Sequence, residues 1–140
     1  MNPTRLTVPA SLEGLTRIVA AFDAFAAATA LPESVAQAAQ VALDELLSNT
    51  VRAGYPSGET GHIEAAFSAS DEALDIHLID DGIPFDPLAR ADPDTEAPIE
   101  ARPIGGLGIY FVKRLMDDVS YERVGRENHL RLRKRIIKGS

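Results

Sequence analysis

Two runs of strict alternation constrain this chain most. Ile63, Ala65, Phe67 and Ala69 alternate with His62, Glu64, Ala66 and Ser68; after Ser70-Asp71-Glu72 the pattern resumes, with Leu74, Ile76 and Leu78 alternating with Asp75, His77 and Ile79. Successive side chains on a strand point to opposite faces, so each run reads as a strand with one apolar face. A turn that short joins antiparallel neighbours, because parallel strands need a long crossover. The apolar face of such a sheet has to be covered, and the rest of the sequence offers helices for the purpose.

Arg5 to Val8 reads as a further short strand, and Ser11, three residues before Gly14, reads as the N-cap of a helix. Leu15, Ile18, Val19, Phe22 and Phe25 then recur at helical spacing. Leu31-Pro32 ends that element, a second helix is predicted from about Glu33 to Ala53, and Gly54, Tyr55 and Pro56 close it. A third helix opens at Gly105-Gly106-Leu107-Gly108 and carries Ile109, Val112, Leu115 and Met116. Two last strands, near Val119 to Val124 and His129 to Ile136, are expected to pair through a turn at Gly125-Arg126-Glu127-Asn128. The prediction is an α+β two-layer sandwich: a mostly antiparallel sheet of largely sequential neighbours, covered on one face by helices, in one domain over residues 1–140.

Composition narrows the function classes. With 140 residues, 45% hydrophobic and 25% charged, the chain sits near globular averages. The absence of cysteine excludes disulfides, thiolate metal sites and a cysteine nucleophile. A formal net charge of −7 disfavours binding to nucleic acid, which depends on neutralising phosphates. The N-terminus lacks the uninterrupted apolar stretch of a signal peptide or membrane span, so the expected setting is cytoplasmic, with no membrane contact. Arg131, Arg133, Lys134, Arg135 and Lys138 cluster near the end, either as a solvated strand face or as a local anionic contact.

Three clusters carry candidate chemistry. Glu45 and Asn49 stand four residues apart on the second helix and face the same way to within about 40°. Leu43, Leu46, Leu47 and Thr50 mark the core stripe, and Gln37, Gln40, Asp44 and Ser48 the wet one. Glu45 and Asn49 fall on neither; they share a flank with Ala38, Val41 and Ala42, which suits the wall of a cleft. There a glutamate can take a proton and an asparagine can offer an oxygen to Mg²⁺. Asp80 shares a strand face with Leu74, Ile76 and Leu78 and so points inward, where a carboxylate needs a partner. The amino group of a base would satisfy it; a capping aspartate before Gly82 is the alternative. Gly82 marks a turn or a close backbone approach, and Asp81, in the outward phase, reads as solvated. Gly105, Gly106, Leu107 and Gly108 lie where helix amides favour an anion such as phosphate, although a hinge or tight turn has the same composition.

In order and spacing, these three elements resemble the ATPase superfamily of gyrase, the heat-shock chaperone, histidine kinases and mismatch-repair proteins, the GHKL or Bergerat fold. Asp44-Glu45-Leu46-Leu47-Ser48-Asn49 looks like its N box, Asp80-Asp81-Gly82-Ile83-Pro84 like its first glycine box, and Gly105-Gly106-Leu107-Gly108 like its second. Within it, the short length, the start Leu6-Thr7-Val8-Pro9-Ala10 and the ending Asn128-His129-Leu130-Arg131-Leu132-Arg133-Lys134 look most like the anti-sigma factor serine kinases. The resemblance implies ATP and Mg²⁺ as cofactors. It makes Glu45 the general base, Asn49 the Mg²⁺ ligand, Asp80 the adenine contact, Gly82 part of the nucleotide pocket, and Gly105 to Gly108 the phosphate cradle. It also implies a lid over about 86–104; Arg102 and Lys113, the cations nearest the second glycine box, read either as phosphate contacts or as solvated charges. A serine or threonine on an anti-sigma factor antagonist would be the acceptor, a sigma factor the second partner, and the working form a homodimer. One departure stands out: relatives often carry His-Ala-Tyr after the N box, and here the residues are Ala53-Gly54-Tyr55.

Rival readings are a nucleotide-gated module that sequesters a sigma factor or other regulator without catalysis, and the ATP-binding half of a histidine kinase. The proline-rich, acidic stretch from Asp81 to Arg102 is expected as a long surface loop, a lid or a passive one. His62, His77 and His129 match no metal motif, and Ser48, Ser57 and Ser120 lack the neighbours of a nucleophile.

Overall fold

The computed structural model describes residues 3–55, 60–88 and 106–136. Five strands and three helices follow in the order β1 (Thr4–Pro9), α1 (Leu12–Ala28), α2 (Glu33–Gly54), β2 (His62–Ala69), β3 (Ala73–Asp80), α3 (Gly106–Leu115), β4 (Asp118–Val124) and β5 (Glu127–Arg135). The strands form one sheet in the order β1-β2-β3-β5-β4, antiparallel at every pairing. This is the α+β sandwich expected from the alternation.

The alternation sets the burial. Ile63, Ala65, Phe67 and Ala69 of β2, and Leu74, Ile76 and Leu78 of β3, are all buried under the helices, whereas their outward neighbours are half-buried or exposed. Ser11 caps α1 as predicted, its hydroxyl accepting from Gly14 N at 3.1 Å. Phe22 and Phe25 of α1 pack on Phe67 of β2, with Phe22 and Phe67 edge to face at 5.3 Å. On α2, the stripe of Leu43, Leu46, Leu47 and Thr50 is buried as read from its spacing. That helix lies between α1 and α3, and Ile109, Val112 and Met116 complete the core.

Three of the four pairings join sequential neighbours, as expected; the fourth crosses over, and one turn is corrected. The neighbour of β3 is β5, because Asn128, Leu130 and Leu132 give β5 a buried face that belongs mid-sheet, while β4 is half-exposed along its length and takes the edge. The closing turn contains only Gly125 and Arg126: Val124 pairs with Glu127, so Glu127 and Asn128 already lie in β5. Of the C-terminal basic cluster, Arg131, Arg133 and Arg135 lie on the exposed outer face, whereas Lys134 is half-buried in phase with Leu130 and Leu132. Arg131 and Arg133 reach Glu122 and Asp75 across the outer surface, and Lys134 donates to Leu115 O at 2.7 Å. His77 and His129 meet on that same outer face, ring nitrogens 2.9 Å apart. Among the described residues no helix is long and apolar enough to cross a membrane.

Candidate functional site

At the C-terminal end of β3 Asp80 is only 7% exposed, turned under the helices as the alternation requires. The sequence around it offers no partner, yet the fold supplies two. Oδ1 accepts from the Gly82 amide and from Asn128 Nδ2, each at 2.9 Å, and Asn128 is the residue directly opposite Asp80 in the β3–β5 register. Burial pushes the Asp80 carboxyl above the usual carboxylate range, and these two bonds to the charged form oppose that shift. Thr50, Gly54, Phe85, Pro87, Asn128 and Leu130 join Asp80 around a cavity of about 10 Å³, room for about one water.

Gly82 serves a close approach, and what approaches is α2. A Cβ at residue 82 would stand 2.7 Å from Gly54 O and 2.9 Å from Gly54 Cα, and the next amide, Ile83 N, donates to Gly54 O at 3.0 Å. The end of β3 is thereby fastened to the end of α2. Asp81, expected to be merely solvated, contributes to the same joint: its Oδ1 accepts from Tyr55 Oη at 2.6 Å and from His62 N at 2.9 Å. Partial burial works against its charge, but the bonds from Tyr55 and His62 prevail and hold the carboxyl below its usual range. Burial and Asp81 push the Tyr55 hydroxyl far upward, so it stays a donor.

Further back along α2, Asn49 and Glu45 are half-buried on the flank between core and wet faces. Gly108, in the first turn of α3, sits so close to Glu45 that a Cβ there would collide with the carboxylate. The second glycine cluster and the acidic end of the N-box segment are thus in direct contact. Gly106, Leu107 and Gly108 open α3, where the first amides have no partner within the helix. Asn49 Oδ1 accepts from Arg52 Nη2 at 2.6 Å, while Arg52 Nε donates to Ser48 O. Glu45 and Gly54 lie nine residues apart on one helix, about 13 Å along its axis. Lys113 lies in the last turn of α3. Gly105, Arg102 and residues 89–104 of the expected lid lie outside the described residues. Among the described residues no three His, Asp or Glu side chains converge as a metal cage.

The structure therefore brings Asp80 and Gly82 together at the C-terminal end of α2, and Glu45 and Gly108 together nearer its middle, with Asn49 one turn from Glu45 on the same flank. Sequence reasoning missed Asn128, 3% exposed, and its supports: Tyr121 Oη at 2.5 Å and Arg123 Nη1 at 3.2 Å both donate to Asn128 Oδ1. The signal existed, since Asn128 alternates in phase with Leu130 and Leu132 on β5 just as Asp80 does with Leu74, Ile76 and Leu78 on β3.

Comparison with known proteins identifies the family and the fold. The family model for the histidine kinase-like ATPase domain matches residues 8–134. The serine-protein kinase RsbW of Oceanobacillus iheyensis is 33% identical over 85 residues, covering 57% of this chain and 53% of that protein. RsbW of Listeria monocytogenes is 30% identical over 84 residues, covering 57% and 54%. The chain spans about half the length of the curated relatives it matches. The crystal structure of the RsbU and RsbW domains of a Mycobacterium tuberculosis protein superposes with a TM-score of 0.70 at 17% identity, over 97% of this chain and 33% of that one, a likeness of fold. With its family model matched over nearly its whole length, the chain belongs to the histidine kinase-like ATPase domain family.

Proposed function

We propose that this protein is an ATP-dependent protein serine/threonine kinase and anti-sigma regulatory factor, acting as one domain on a small antagonist protein. The observation that carries the reading is the seat of Gly108 against the Glu45 carboxylate, with Asp80 of β3 buried beside Gly54, about two and a half turns further along α2. A base, a sugar and a row of phosphates could lie along that span.

The residues fit such a ligand. Asp80 is a buried acceptor suited to the amino group of adenine, and the first amides of α3 suit phosphate oxygens. A cavity with room for about one water does not hold a purine, so entry requires Phe85 and Pro87 to move outward. Asn49 would hold Mg²⁺ through Oδ1, the remaining positions being filled by phosphates and water, once Arg52 releases that oxygen. Bound ATP would supply the γ-phosphoryl group and ADP as the leaving group. Glu45 takes the proton of the attacking serine or threonine hydroxyl as its oxygen bonds to phosphorus. Family resemblance further supports a sigma factor as second partner, a homodimer and a cytoplasmic setting.

Arg52 on Asn49 favours a second reading, a nucleotide-gated module that sequesters a sigma factor without transfer, since an engaged metal ligand leaves nucleotide to set shape alone. One pair of measurements tests both. Calorimetry should detect Mg²⁺-dependent ATP binding that Asp80→Asn and Asn49→Ala impair, and labelled ATP should then pass phosphate to an added antagonist protein. Binding without transfer leaves the module; no binding removes both readings.

A further inference from the structure

Asn128 is the most enclosed of the buried polar side chains among the described residues, at 3% exposure. Its surroundings fix which way the amide faces. Oδ1 meets three donors: Tyr121 Oη at 2.5 Å, Arg123 Nη1 at 3.2 Å and Phe85 N at 3.4 Å. Nδ2 meets two acceptors, Asp80 Oδ1 and Ile83 O, both at 2.9 Å. A flipped amide would set its NH₂ against two groups that can only donate, Arg123 Nη1 and Phe85 N, and its oxygen against two acceptors, so one orientation is locked.

Two consequences follow. Asp80 Oδ1 carries two donors, Asn128 Nδ2 and Gly82 N, which hold the carboxylate in place and favour its charged form against burial. The same amide holds Ile83 and Phe85, and Phe85 lines the cavity over Asp80. One side chain thus joins the carboxylate to the segment that covers it.

Resting on the nucleotide reading above, we propose that Asn128 is a positioning residue that sets base selectivity: its locked amide keeps Asp80 an acceptor, favouring a purine with an amino group at that edge over one with a carbonyl. Adenine presents a donor at position 6 where guanine presents an acceptor. A carboxylate held ionised repels the guanine oxygen; without the Asn128 donor, a buried Asp80 takes up a proton more readily and can donate to it.

The test is calorimetry of ADP and GDP on the full chain, for wild type, Asn128→Ala and Tyr121→Phe, with thermal melts to show that each variant is folded. Wild type should prefer ADP. Asn128→Ala should lose about tenfold in ADP affinity and narrow the ADP-to-GDP ratio by a similar factor, as loss of a bond to a charged group predicts. Tyr121→Phe, which only loosens the amide, should narrow the ratio in the same direction by a smaller factor. A folded Asn128→Ala that keeps the wild-type ratio, whether or not both affinities fall, overturns the proposal and leaves the nucleotide reading standing. If Asn128→Ala does not fold, an unchanged ratio in Tyr121→Phe overturns it instead. A wild type that binds neither nucleotide overturns both.

Discussion

The two ends of the candidate site, one at the C-terminus of α2 and one near the middle of that helix, are built differently. At the Gly54 end, Asp80 and Asn128 are buried, hydrogen-bonded to one another and to backbone, and clamped by the contact of Gly82 with Gly54. At the Glu45 end the Glu45 and Asn49 side chains are half-buried on a helix flank, Asn49 is engaged by Arg52, and the neighbouring element is the first turn of α3. The first is held by strands on both sides; the second meets across a helix–helix contact. Under the proposed function the first is a recognition end, which can be rigid because it must exclude wrong ligands, and the second a reacting end, which has to admit metal, phosphate and a second protein.

The largest effect should come from the loosely built end. Glu45→Ala should lower turnover by about 10²–10⁴-fold with ATP affinity nearly intact, since a positioned base acts on the transferring step and not on binding. Equal losses in binding and rate, measured by calorimetry and phosphotransfer, would erase the distinction between the ends. Gly108→Ala sharpens it. The added Cβ collides with the end of a flexible side chain, so Glu45 should swing aside with little change in melting temperature. Displacing a reacting group by about 1 Å can reduce turnover by about 10²-fold. A large melting shift with unchanged turnover would mean that the contact serves packing alone.

The rigid end was also the more legible one, though only in part. Asp80 could be placed inward because it continues the Leu74, Ile76, Leu78 phase, and the helix stripe of α2 followed from its spacing. Asn128 was lost because Gly125-Arg126-Glu127-Asn128 has turn composition, and the turn, once two residues long, releases Asn128 into a buried strand face. The pairing of β3 with β5 depends on which strand has the more apolar face, a tertiary competition that short-range patterns do not decide. The engagement of Asn49 by Arg52 is a neighbour relation at three residues that was visible in principle, since side chains at that spacing meet on a helix.

For the buried end, Asp80→Asn should weaken ATP by about 1.5–3 kcal/mol through loss of a charged hydrogen bond. It should do so without unfolding the protein. Burial raises the Asp80 carboxyl above 3.8, so the folded state binds that proton more tightly than the unfolded one. Wild-type stability from this group is therefore greatest with the proton on, declines as pH rises from 3.8 through the raised value, and is flat above it. Asparagine does not titrate. Relative to wild type, Asp80→Asn should gain melting temperature across that window and keep the gain at neutral pH. A gap independent of pH would show that Asp80 ionises as freely in the folded protein as in the unfolded chain.

The smallest effect tests whether the reacting end is restrained. Arg52 is bonded to Asn49 on an exposed part of α2, where a surface interaction contributes up to about 1 kcal/mol. If that bond holds Oδ1 away from a metal, Arg52→Ala should tighten Mg²⁺-dependent ATP binding by up to about fivefold, and binding measured with chelator should not change. The metal dependence matters because loss of a positive charge near phosphates would weaken binding with or without Mg²⁺. Weaker binding under both conditions would make Arg52 a phosphate contact, and the reacting end would then be better prepared for ligand than its engaged asparagine indicates.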